Sequence, residues 1–253
     1  DETIVAMVKI ACPDAAMRLL RQLENYLGDY VHAFELINQK GLEFLTTGGF
    51  KFREPFNVRS EWMVLIEVAG KKSVGLRHLF ESTLHRVMER DIIIDAVIST
   101  SDAQARDLWF IRESIPEANR LVGAICSSDV SVPISNIPQF IEMAFVAVRA
   151  LSDKLQINCF GHLGDGNIHF NVFPPNGSHK NGFQEIGHDV ASAIHRIAVN
   201  LGGSFSAEHG VGRLKIKELQ KYSDNGKLTM MRAVKRALDP NLILNPGALF
   251  SNF

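Results

Sequence analysis

Two strand-like runs meet at a glycine-rich bend in Phe160-Gly161-His162-Leu163-Gly164-Asp165-Gly166-Asn167-Ile168-His169-Phe170. The bend constrains the fold more than any other segment. Strands joined by so short a link lie antiparallel, whereas a parallel pair needs a crossover of a dozen residues or more. With Asp165-Gly166 as the central residues of a two-residue turn, Gly164 pairs with Asn167, Leu163 with Ile168, and His162 with His169. The two imidazoles then face each other from β-carbons about 4.5–5.5 Å apart, close enough to share one metal ion at about 2.0–2.2 Å. The competing reading makes both histidines ordinary polar members of a half-exposed strand. A slip of one residue in the turn would put the rings on opposite faces.

The rest of the chain extends the antiparallel expectation. Apolar runs predict strands over 3–11, 31–37, 62–69 and 92–98, and helices over 13–27 and 73–90, with a short helical piece and a mobile Thr46-Thr47-Gly48-Gly49 segment between. Without that piece the order is strand, helix, strand, strand, helix, strand. It recurs downstream as strands over 130–133, 155–160 and 168–173, and helices over 137–151 and 181–201. Two ferredoxin-like units follow from the repeat. Adjacent strands with no helix between them argue against a doubly wound parallel sheet. The expectation is an α+β fold: a ferredoxin-like domain over 1–210 with a mostly antiparallel sheet covered by helices, then a helical tail over 211–253. The tail closes on the turn-rich Asp239-Pro240-Asn241 and Asn245-Pro246-Gly247.

Charge excludes some partners. The chain has 27 Lys plus Arg against 28 Asp plus Glu, which leaves no broad basic field for nucleic acid or an anionic membrane. It has no apolar run of about 20 residues and no signal-peptide signature at Asp1-Glu2-Thr3. Cys12, Cys126 and Cys159 are an odd number at wide spacing, read as reduced core residues of a reducing compartment, cytoplasm or mitochondrial matrix. Peripheral membrane association through other parts of a longer protein stays open.

A third ligand is sought in Ser206-Ala207-Glu208-His209-Gly210-Val211-Gly212. Adjacent residues of extended backbone point to opposite sides, so one of Glu208 and His209 can bind metal while the other lines the reaction space. The glycines at 202, 203, 210 and 212 permit the bending this needs. The competing reading is a helix start with an acid near its positive end.

Together with Leu108-Trp109-Phe110-Ile111-Arg112-Glu113 and the stretch from Leu238-Asp239-Pro240-Asn241 to Leu244-Asn245-Pro246-Gly247, these segments resemble the C-terminal domain of the FAD-linked oxidases. That is the family of D-2-hydroxyglutarate and D-lactate dehydrogenases in the vanillyl-alcohol oxidase superfamily. The resemblance implies that His162, His169 and Glu208 bind a divalent metal, usually zinc. It implies that His209 is the catalytic base, that Arg112 and Asn167 contact substrate, and that Asn245 contacts the cofactor. The implied reaction oxidises a small D-2-hydroxy acid to the 2-oxo acid. Metal would lower the hydroxyl pKa, His209 would take its proton, and hydride would pass to flavin N5.

By the same resemblance, FAD is held mainly by an N-terminal domain that does not precede Asp1, and the 211–253 tail packs against it. Electrons leave for an acceptor such as an electron-transfer flavoprotein, a quinone or a cytochrome. The isolated chain is expected to be inactive. Two departures bear on the substrate: Ser127-Ser128-Asp129 stands where hydroxyglutarate-type members carry Lys before Asp, and Pro116 stands where Thr often follows the Arg. They tilt the reading toward a monocarboxylic acid and leave a dicarboxylic one open. For Arg112 the competing reading is a helix-surface residue paired with Asp107 or Glu113. For the whole site the competing functions are a metal-dependent hydrolase, which would act without a redox cofactor, and a non-catalytic metal-binding module, which would ignore hydroxy acids.

Overall fold

A computed structural model describes residues 2–250, and every strand pairing in it is antiparallel. The first unit runs β1 (Glu2–Ile10), α1 (Pro13–Leu27), β2 (Val31–Asn38), α2 (Gln39–Thr47), β3 (Trp62–Gly70), α3 (Leu76–Glu89) and β4 (Asp95–Ile98). α4 (Asp102–Val122) then leads to β5 (Cys126–Ser131), α5 (Ile137–Leu151), β6 (Gln156–His162), β7 (Asn167–Phe173) and α6 (Gln184–Asn200). The short α7 (Ile216–Tyr222) and α8 (Asn225–Leu238) follow.

The seven strands form one sheet in the order β4-β1-β3-β2-β6-β7-β5. Its first four strands are a complete ferredoxin-like unit. The other three repeat the order in mirror sequence, and the place of the fourth strand is taken by a single antiparallel bridge between Ser131 and Ser204. The halves join edge to edge, β2 pairing β6 through Glu35↔His162, Leu36↔Gly161 and Ile37↔Phe160. The α+β fold and the two-unit repeat are therefore both present.

Local chemistry explains the elements. Pro13 opens α1 where a missing N–H costs nothing, the Ala15-to-Leu27 stripe packs on the sheet, and Gly28, at φ 54°, ends the helix. β1 reads as a continuous apolar run because both faces of the sheet are covered, and Ile4 to Val8 are fully buried. One face carries α1, α3, α5 and α6 over a core that includes Leu23, Phe80, Phe140 and Phe170. The opposite face is packed by α2 and α4 through Leu42, Leu45, Leu108, Ile111 and Ile115 onto Val5, Met7, Met63 and Leu65.

Several expectations are corrected. The first strand of the downstream repeat falls on Cys126–Ser131, not 130–133, and α3 begins at Leu76 after a 3-10 turn over Lys72–Val74. Thr46 and Thr47 belong to the last turn of α2, each hydroxyl donating to a carbonyl four residues earlier. Cys12 is exposed at the mouth of α1, whereas Cys126 and Cys159 are buried, and burial pushes both of their thiols up.

The candidate metal centre

The β6–β7 register differs from the expected one. Phe160, not His162, stands opposite His169, and four residues rather than two make the link: a 3-10 turn over Leu163–Asp165, then Gly166 at φ 75°. Gly166 is the one residue type that fits, because a β-carbon there would meet Val132 O at 2.4 Å. The pairing is displaced by two residues, an even number, so every side chain keeps its face. His162 becomes the diagonal neighbour of His169, and their ring centroids are 5.8 Å apart.

Glu208 completes the cluster. Its Oε1 lies 3.3 Å from His162 Nε2 and its Oε2 lies 3.8 Å from His169 Nε2. One ligand atom from each of the three falls within 4.8 Å of the others, two nitrogens and an oxygen, a donor set that suits a divalent cation with an open position. His169 is held below the ordinary histidine pKa, chiefly by burial and then by the Arg112 charge, so its ring favours the neutral form that ligation requires.

Glu208 and His209 reach this point from a loop pinned by Asp129 on β5. The Asp129 Oδ2 accepts from the backbone N–H of Glu208 at 2.8 Å and of His209 at 3.1 Å, and its own carbonyl accepts from Ala207 N. Burial alone would raise the Asp129 pKa, but those two amides together with the neighbouring His169 and His209 outweigh it and the carboxyl sits below its usual value. His169 Nδ1 is 3.6 Å from Asp129 Oδ1, and His209 Nδ1 is 3.5 Å from Oδ2. The His209 side chain, 70% exposed, stacks toward His169 with centroids 6.5 Å apart.

The other flank is built on Glu35. Its Oε1 lies 2.6 Å from His162 Nδ1, and its Oε2 accepts from Arg112 Nε at 2.8 Å. Arg112 is no helix-surface residue paired with Asp107 or Glu113: it is 6% exposed and lies over the Phe160 ring at 4.7 Å. It faces a cleft of about 560 Å³ whose lining includes His162, His169, Glu208 and His209 on one side and Arg120, Ser127 and Lys180 on the other.

The other named residues lie apart. Asn167 shares the sheet face of His169 but is 4% exposed, outside the cleft lining, and both its amide atoms are buried without a partner. Asn171, one turn of the pleat further along the same face, does line the cleft. Asn245 is exposed at φ 47° in a turn that returns to the loop carrying Glu208 and His209, where Arg213 Nε donates to Pro246 O and Leu249 N to Gly212 O. Sequence reading missed Glu35, Asp129 and Asn171. Alternation along their strands carried the signal: Phe34 and Leu36 flank Glu35, Val130 follows Asp129, and Phe170 and Val172 flank Asn171, all pointing into the apolar core on the other face.

The chain matches the family described as FAD linked oxidases, C-terminal domain, over residues 1–249. It is 34% identical over 223 residues to a D-2-hydroxyglutarate dehydrogenase of Xanthomonas citri pv. viticola, covering 87% of this chain and 46% of the relative. It is 31% identical over 256 residues to the mitochondrial D-2-hydroxyglutarate dehydrogenase of Arabidopsis thaliana, covering 98% and 44%. The chain thus spans about half the length of these curated relatives. Its fold is shared with a substrate-bound p-cresol methylhydroxylase, at TM-score 0.67 and 14% identity over 97% of this chain and 52% of that one.

Proposed function

The chain belongs to the FAD linked oxidases, C-terminal domain family, and from that premise we propose that it is the substrate- and metal-binding part of an FAD-dependent dehydrogenase that oxidises a D-2-hydroxy acid to the 2-oxo acid. One observation carries the reading: His162, His169 and Glu208 converge beside His209 in a cleft that also holds Arg112. A hydrolase would need the same ligands, but the family and the relatives named as dehydrogenases favour the redox reading over it and over a non-catalytic module.

In this proposal His162, His169 and Glu208 hold one divalent cation, zinc by the donor set. When bound, the cation supplies the Lewis acidity that lowers a hydroxyl pKa, and the flavin supplies the hydride acceptor. His209, exposed to the cleft and oriented by Asp129, takes the hydroxyl proton at one ring nitrogen. Arg112, its guanidinium carbon 4.7 Å from the Phe160 ring centroid, offers its remaining guanidinium nitrogens to the substrate carboxylate. Asn171, which lines the cleft, supplies a further amide contact; Asn167, four residues earlier on β7, does not line it.

The flavin belongs to the part of the protein beyond this domain, and the 211–253 tail docks there. Exposed Leu214, Met230, Val234, Leu238, Ile243 and Leu244 give that tail an apolar surface, and its turn carries Asn245 as the cofactor contact. No helix among the described residues is long and apolar enough to cross a membrane. The mitochondrial label of the Arabidopsis relative agrees with a matrix placement, with a separate carrier or quinone as electron acceptor.

The test is His209→Ala in the flavin-loaded protein. Metal and flavin content should stay at wild-type levels while the rate of flavin reduction by substrate falls by about 10²–10⁴; an unchanged rate removes His209 as base. The substrate's far end meets Lys180, whose side chain passes Gly123 on the cleft wall. Lys180→Met should lower kcat/KM for a dicarboxylic hydroxy acid about tenfold through the lost ion pair and leave lactate unaffected. Equal losses on both substrates would exclude a second-carboxylate contact.

A further inference from the structure

A carboxylate inside a sheet is costly unless both its oxygens are used. Glu35 sits on β2 between the buried Phe34 and Leu36, 3% exposed, in one of the two strands that join the halves of the sheet. Neutralising Arg112 would engage one oxygen. The second goes instead to the ring of a proposed metal ligand, 127 positions away and directly opposite in the β2–β6 register. With a proton on Nδ1 pointed at that oxygen, His162 is left with its lone pair on Nε2, the atom facing Glu208.

Resting on the metal reading above, we propose that Glu35 is a positioning residue shared by the metal site and the substrate cleft. One oxygen fixes the His162 ring with Nε2 turned to the cation, and the other fixes Arg112 Nε so that the remaining guanidinium nitrogens face the substrate. Glu35 is also the first unit's contribution to the centre, because His162, His169, Asp129, Glu208 and His209 all follow β4 in the chain. The two flanks are unequal. His169 Nδ1 stands 3.6 Å from Asp129 Oδ1, against 2.6 Å for the Glu35 contact, so the tightest orientation falls on His162.

The decisive variant is Glu35→Gln in the flavin-loaded protein. Glutamine keeps the volume but has one acceptor oxygen for two donors. Equilibrium dialysis against buffered Zn²⁺ with elemental analysis should show the apparent affinity falling about 10–100-fold, the usual effect of removing an outer partner of a metal-bound histidine. The apparent KM should rise in the same variant while flavin content holds. Affinity and KM both within twofold of wild type would overturn the proposal and leave Glu35 a neutralising charge for Arg112.

A second measurement does not depend on the variant folding or on metal. In ¹⁵N-histidine-labelled, metal-free wild type, the neutral His162 ring should carry its proton on Nδ1. A proton on Nε2 would overturn the proposal. Wild type that binds no Zn²⁺ would sink the metal reading, and the tautomer measurement would still decide the role of Glu35.

Discussion

The two ferredoxin-like units share a topology and differ in what covers one face. In the first, the face under α4 is mainly apolar: Val5, Met7, Met63 and Leu65 are fully buried beneath α2 and α4, and Glu35 and Glu67 are its acids, paired with Arg112 and Trp109 of α4. In the second, the same face carries Ser127, Asp129, Asn158, His162, Asn167, His169 and Asn171, and much of it opens to the cleft. The fourth strand differs as well. β4 pairs β1 over four residues, whereas its counterpart is reduced to the Ser131–Ser204 bridge. Ending that strand early releases the chain as the loop that brings Glu208 and His209 over the sheet. One copy of the repeat is built for packing, and the other gives up packing for chemistry.

The sharpest way to break this comparison is to exchange the losses. Phe80→Ala removes a fully buried ring from the first unit's core and should cost about 3–5 kcal/mol of unfolding free energy. Its folded fraction should keep wild-type zinc content. Glu208→Ala should do the reverse, losing the proposed zinc while denaturant unfolding of the metal-free protein moves by less than about 1 kcal/mol, because the side chain is 45% exposed. Zinc loss in the first variant, or a large stability loss in the second, would mean that packing and chemistry are not divided between the units.

A smaller effect is expected where the second unit's strand is cut short. A β-carbon on Gly203 would stand 1.9 Å from Ser131 O, a backbone atom that has no room to yield. Gly203→Ala should cost about 1–3 kcal/mol by forcing the bridge open. Because Asp129, two residues before Ser131, holds the 208–209 backbone, zinc affinity should fall with it. Lost stability with unchanged affinity would show that the bridge does not set the loop.

Much of this architecture was legible from residue pattern, and the misses have physical causes. Strand-strand adjacency and the apolar runs identified the repeat, since period-2 burial leaves a local trace. The hairpin register was misplaced by two residues because an Asp-Gly pair also suits the end of a four-residue link; the even displacement preserved the histidines' face and hence the site. The apolar runs assign no element to α4, only the competing reading of Arg112 places a helix there, and Pro116 lies in its interior. A capping box was there to be read: Ser101 Oγ accepts from Gln104 N, and the Gln104 side chain returns to Thr100 N. The pairing of Glu35 with Arg112 was out of reach of local reasoning, since it spans 77 positions and joins α4 to β2.

The smallest expected difference between the units is their response to acid. Three groups of the second unit, His169, His195 and Asp129, are at least half-buried and have their pKa displaced downward. His195 packs on Phe205 at the start of the loop that carries Glu208 and His209, 6% exposed, and burial holds it below the ordinary 6.5. A folded state that resists protonation is destabilised relative to an unfolded chain that accepts it. Stability should therefore be full above the unfolded value and decline as pH falls through 6.5 toward the folded value. Asp129 adds a separate loss as pH falls below its unfolded value of 3.8 and through its depressed folded one. His195→Gln should flatten the slope of unfolding free energy between pH 7 and 5 without removing it, because His169 contributes with the same sign in metal-free protein. A slope unchanged by the variant would place the acid sensitivity outside α6 and the loop it supports.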